Sequence, residues 1–204
     1  MPDWSRRRFL HTVAAGGALS LAGCTGSRSG SSEEPTVWLS PLDDVQAVKA
    51  RSSGGTPVFE SQEASENEDT NEKAPGVTRG YLLTKDADVD ELRFTGVDGA
   101  AELQAFVRET DFVAGSVFLL QGTIGECYDR RVVSVYREND GVDVDLCEDL
   151  RPADVECAAD AHDVVAIAIR LPLPADDFNS GGVGYGGECP DHPTIPTRTV
   201  GDMA

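Results

Sequence analysis

Aliphatic and acidic residues alternate in Val142-Asp143-Val144-Asp145-Leu146, and Asn139-Asp140-Gly141 stands directly before them. A period of two puts the aliphatic side chains on one face and the carboxylates on the other, which is the pattern of a half-buried β-strand. Asn, Asp and Gly tolerate the left-handed backbone of a tight hairpin, so the chain is predicted to turn here. Residues 127–138, with Val132, Val133, Val135 and Tyr136, supply the strand that the hairpin folds back on. Such a hairpin commits the chain to an antiparallel sheet and to an apolar layer that covers one face of it.

The rest of the chain supplies that layer. Tyr81, Leu82 and Leu83 within 78–84 form a strand pattern, and 91–95 forms a short second one. Asp98 suits a helix N-cap, and Leu103, Phe106 and Val107 follow at spacings of three and four, which predicts an amphipathic helix over about 99–110. Ser116 to Gln121 is apolar on both faces, as a central strand is. Val165, Ile167, Ile169 and Leu171 alternate with smaller residues until Leu171-Pro172-Leu173-Pro174 ends the run. The predicted fold class is α+β and mostly β: an antiparallel meander sheet with one amphipathic helix packed on it. The predicted organisation is a leader at 1–23, a stalk and acidic low-complexity linker at 24–76, a small domain at 77–175 and a Gly/Pro-rich flexible tail at 176–204. Residues 60–76 hold almost nothing to bury and are predicted to stay disordered. Val37, Trp38, Leu39, Val45, Val48, Val58 and Phe59 could supply a strand and a helical turn, with their place in the fold left open.

The first two dozen residues carry an address. Arg6, Arg7 and Arg8 precede an apolar stretch from Phe9 to Ala22, which is shorter than the roughly 20 residues of a membrane span and has the layout of a secretion signal. The arginine pair Arg6-Arg7 before Phe9-Leu10 resembles the twin-arginine export signal. Leu21-Ala22-Gly23-Cys24 resembles a lipobox, which implies cleavage before Cys24 and attachment of a diacylglycerol-type lipid to its thiol. The expected location is the extracytoplasmic face of the cell membrane, with residues 25–35 as the tether and membrane lipid as the partner held through Cys24.

With Cys24 assigned to lipid, Cys127, Cys147, Cys157 and Cys189 remain. An even number in an oxidising compartment reads as two disulfides. A hairpin turning near Asp140 puts Cys127 and Cys147 about six residues out of register, some 20 Å apart and too far to bridge. Cys127–Cys157 with Cys147–Cys189 is favoured over Cys127–Cys189 with Cys147–Cys157, and both remain open on sequence.

Asp plus Glu number 36 against 17 Lys plus Arg, a net charge of −19. Arg6, Arg7 and Arg8 against Asp3 give the leader +2, which leaves −21 on the exported part. In molar salt the Debye length falls to about 3 Å and the self-repulsion of such a surface is screened. With its lysines few and its leader of this type, the chain resembles exported haloarchaeal proteins, which implies that the acids keep it solvated in brine. Nucleic acid is excluded as a partner, because no basic patch exists to neutralise phosphates. A protein partner is compatible with this surface.

Residues 98–172 carry a further likeness. A helix, Asp111-Phe112, the strand Val117 to Gln121, then Thr123, Gly125 and Cys127-Tyr128 leading a strand, with Cys157 ahead of Val165 to Leu171, resemble the C-terminal domain of the PrcB-type protease-complex accessory subunits. The resemblance implies a small, non-catalytic, β-rich module.

Three patterns resemble chemistry without completing it. Cys189-Pro190-Asp191-His192 is similar to the ligand loop of small blue copper proteins, which also need a second histidine and usually an axial Met. His162 lies in a polar stretch, Thr197 stands where the Met would fall, and Met203 is too far along. Gly182, Gly184 and Gly187 match the dinucleotide fingerprint and Asp202 lies near the distance of its acid, but a proline-rich tail occupies the position of the helix that must follow. Asp86, Asp88 and Asp90 open like a calcium loop, yet Glu91 and Val97 occupy the places of its Gly and Glu. The expectation is a non-catalytic binding or structural module without a cofactor. The alternatives are a copper-type redox lipoprotein using Cys189 and His192, and a hydrolase whose site has no recognisable motif.

Overall fold

The computed structural model describes residues 39–61, 78–138, 140–177, 180–186, 189–191 and 195–200. The predicted leader with Arg6 and Arg7, the lipobox-like run with Cys24, the predicted tether, residues 62–76 of the predicted acidic linker, Gly187, His192 and Met203 lie outside them.

The elements run β1 (Leu39–Pro41), β2 (Gln46–Ser52), β3 (Phe59–Ser61), β4 (Thr78–Leu83), α1 (Asp86–Asp90), β5 (Leu92–Phe94), α2 (Ala100–Arg108), β6 (Ser116–Gly125), β7 (Tyr128–Glu138), β8 (Gly141–Leu150), β9 (His162–Leu171), β10 (Ser180–Tyr185) and β11 (Thr197–Val200). They build a mostly β structure with two main sheets. One has the order β1-β7-β8-β10 and the other β11-β2-β9-β6-β4, while β3 and β5 form a small ribbon.

The β7–β8 hairpin pairs Glu138 with Gly141. Val133 is the extra residue where the register shifts between Val132 and Ser134, and this bulge lets both Val132 and Val135 be buried. Cys147 therefore lies opposite Arg131, one residue from Val132, the place that an unbulged hairpin with this turn gives it.

The sheets are mixed, and no single meander exists. After β6 the chain crosses at Glu126-Cys127 into the other sheet, and β9 returns to pair with β6. Two parallel pairs complete the sheets: β10 beside β8, and β11 beside β2. The structured part is accordingly wider than 77–175. β1, β2 and β3 precede it, and β10 and β11 follow it, so the expected flexible tail instead contributes one strand to each sheet.

Period-two alternation sorts the strands' side chains into two cores. Phe118, Leu120, Val165, Ile167 and Ile169 of the five-stranded sheet meet Val132, Val135, Val144 and Leu146 of the four-stranded one. On its other face, Val48, Ala50, Val117, Leu119, Ala166 and Ala168 meet Leu103, Phe106 and Val107 of α2, with Phe59 and Leu92 from the ribbon. Helix α2 begins after Gly99, whose φ of 76° occupies the cap position in place of Asp98. The Asp88 carboxylate is used at the start of α1, where Oδ2 accepts from Thr84 N, Thr84 Oγ1 and Lys85 N, so the acidic triplet forms a capped turn and not a calcium loop.

Candidate functional site

The cysteines meet in two pairs. Cys127 bonds Cys157 with Cα atoms 5.2 Å apart, and Cys147 bonds Cys189 with Cα atoms 5.1 Å apart. The first bridge ties the loop after β8 to the corner where the chain changes sheets. The second ties the segment after β10 to β8. The Cys189 sulfur is thus covalently bonded to that of Cys147, and His162 is exposed at the start of β9 opposite Gly125. Among the described residues, no three His, Cys, Asp or Glu side chains are grouped to hold a metal ion. Gly182 and Gly184 lie in β10 opposite Asp143 and Asp145, which gives them a strand's role in place of a phosphate loop's.

Charged side chains nevertheless enter the space between the sheets. Lys49 and Arg51 share the β2 face of Ala47. Lys49 Nζ donates to both oxygens of Asp129, at 2.6 and 2.7 Å, and to Arg130 O at 3.3 Å. Arg51 Nε donates to Asp163 Oδ2 at 2.6 Å, and its Nη atoms donate to Tyr128 O and Glu126 O, each at 2.8 Å. Arg130, 2% exposed, donates to Glu148, to Thr78 Oγ1 and to Thr123 O. These are closed networks in which each buried charge meets an opposite charge or a carbonyl, as burial requires. They hold the corner and the sheet ends together.

A different arrangement exists at the start of β2. Val45, Gln46, Ala47, Val48, Phe106, Glu109, Arg170, Pro196 and Arg198 line a groove of about 340 Å³. Arg170 interrupts the aliphatic run of β9 near its end. Its Nε donates to Thr110 Oγ1 at 3.0 Å, its Nη1 to Gln46 Oε1 at 3.1 Å and its Nη2 to Phe106 O at 2.7 Å. The last bond satisfies one of the carbonyls that the end of α2 leaves without an intrahelical partner. The guanidinium carbon lies 4.1 Å from the centre of the Phe106 ring, within cation–π range. Burial pushes the Arg170 pKa down from its ordinary value, and the nearby Glu109 charge acts in the opposite direction. An arginine stays charged under these conditions.

The surrounding charge pattern makes this groove unusual. Lys49, Arg51, Lys85, Arg93, Arg108, Arg130, Arg131 and Arg137 each pair with a carboxylate. Arg151 and Arg170 have neutral acceptors only, and the exposed Arg198 side chain has no ion-pair or hydrogen-bond partner among the described residues; of these three, Arg170 and Arg198 share the groove. Sequence reasoning did not single out either arginine. The available signal was Arg170 breaking an otherwise apolar strand, but the groove joins residues from four distant segments.

No protein-family model matches the chain, and neither a curated protein nor a solved structure matches it.

Proposed function

We propose that the chain is a lipid-anchored, extracytoplasmic, non-catalytic binding module that works in high salt. The observation that carries this reading is the cysteine arithmetic: four of the five cysteines bond one another, so Cys24 is the one left to the leader. Two disulfides fit an oxidising compartment, and Cys24 closes a lipobox-like run. Each buried lipid CH₂ contributes about 0.8 kcal/mol of membrane affinity, so a lipid with two long chains would hold the module firmly. The excess of acids supplies solvation in brine. The resemblance of residues 98–172 to PrcB-type accessory subunits supports a binding role and not a catalytic one. A copper site using Cys189 would first require its bond to Cys147 to be reduced.

Fractionation of cells carrying Cys24→Ala tests the anchor. The wild-type chain is expected in the membrane fraction with a lipid adduct on the peptide that begins at Cys24, and the variant is expected in the medium. A variant that stays with the membrane as the wild type does would overturn the anchor.

A further inference from the structure

We infer that the groove at the start of β2 binds a small organic monocarboxylate with an apolar body, held between the guanidinium groups of Arg170 and Arg198. In a chain where acids outnumber bases 36 to 17, an arginine that makes no direct ion pair among the described residues stands against the composition. Two of them line one groove. Arg170 uses three of a guanidinium's five N–H groups on Thr110, Gln46 and Phe106. Those bonds and the Phe106 ring fix its orientation, so little side-chain freedom is lost when the remaining N–H groups meet a ligand. Arg198, on the last strand, supplies the second cation.

The same walls define the rest of the ligand. Val45 and Pro196 offer a small apolar surface beside the two guanidinium groups, and the buried Phe106 ring lies under Arg170. Glu109 also lines the groove and partly offsets the two positive charges, leaving a formal sum of +1. That sum favours a monoanion over a phosphate or a dicarboxylate. The volume of about 340 Å³ falls at the small end of ligand sites, which span roughly 300–1,000 Å³. In molar chloride, long-range attraction is screened. Selection must then come from what chloride lacks: two oxygens matched to the guanidinium fork, and an apolar body to bury.

The inference deepens the binding-module reading, and its test uses purified full chain with both disulfides formed, in molar KCl. Benzoate is the probe, neutral benzamide has nearly the same shape, and amide chemical shifts give the readout. Saturable benzoate binding is expected, with shifts centred on Gln46, Phe106 and Arg170. Benzamide is expected to bind at least tenfold more weakly. Arg198→Gln is expected to cost at least tenfold in affinity while leaving the urea midpoint unchanged, because the exposed Arg198 side chain has no partner among the described residues. The inference is overturned by equal binding of benzoate and benzamide, by wild-type affinity in Arg198→Gln, or by no saturable shift at about 10 mM benzoate. Cell fractionation of Cys24→Ala reads the anchor independently, so failure of one leaves the other standing.

Discussion

Asp163 is 4% exposed, and its carboxylate meets Arg51 Nε at 2.6 Å. Removing one member of a buried pair strands the other charge, which costs about 3–5 kcal/mol. Arg51 keeps its two bonds to carbonyls, so Asp163→Ala is expected near 3 kcal/mol. Asp149, whose side chain is 38% exposed beside Arg131, sits at the other extreme, and Asp149→Ala is expected to cost less than about 1 kcal/mol. Urea titrations at constant molar KCl measure both. Equal costs would mean that burial does not set the worth of these pairs. Neither the Arg51–Asp163 nor the Lys49–Asp129 pairing was legible in the sequence. Asp163 reads there as one more acid in a polar stretch, and Lys49 as one of three scattered lysines. Their roles come from alternation along β2 and β9, which turns Lys49, Arg51 and Asp163 to the same inter-sheet space as Ala47 and Val165. Once β2 is known to be a strand, that face follows. The sequence between Pro41 and Gly55 gave too weak a period to establish it.

Elements differ in how openly their residues announce them. The β7–β8 hairpin is legible because Asn139-Asp140-Gly141 and the Val–Asp alternation act locally. β10 is not, since Ser180-Gly181-Gly182-Val183-Gly184-Tyr185 has the composition of a loose tail. Its glycines answer a packing demand. A Cβ on Gly181 would come within 2.6 Å of the Phe118 ring, and one on Gly80 of β4 within 2.7 Å, so that buried ring sits between two bare backbones where the two sheets meet. The opposed strands are held further by Arg130 beneath the Tyr185 ring and by the Thr78–Tyr185 hydroxyl contact. With so few side chains of its own, β10 relies on the Cys147–Cys189 bridge just beyond it. That bridge closes a segment of 42 residues, for which chain entropy gives about 4 kcal/mol as an upper figure. The double variant Cys147→Ser, Cys189→Ser is expected to lose about 2–4 kcal/mol in urea titration. It should also become cleavable by protease between 180 and 190 before the rest of the chain is. Unchanged protection of that segment would show that strand pairing alone holds β10.

For the whole molecule, the −21 on residues 24–204 meets few internal cations. At about 0.1 M salt the Debye length is about 10 Å, and neighbouring surface acids repel across it; at 1 M it is about 3 Å. Dialysis from molar KCl to that lower salt is expected to abolish the far-UV circular dichroism of the sheets, with recovery when salt is restored. Native dichroism retained without salt would show that the acids are not a device for brine. The composition alone carries this expectation, because it depends on a sum and not on positions. The groove depends on positions alone: the start of β2, the end of α2, the end of β9 and the last strand meet only after folding.

That last strand has a consequence for how the molecule is made. β11 pairs with β2, joining Thr197 to Ala47 and Val200 to Ala50, and it also brings Arg198 to the groove. Until residues 197–200 have left the ribosome, the outer edge of β2 stands open, with unpaired N–H and C=O groups of the kind that recruit other chains. Segments this far apart in sequence meet late and slowly. A chain broken off before Thr197 would therefore lack both the edge and the second arginine, so the fold itself registers whether synthesis reached that strand.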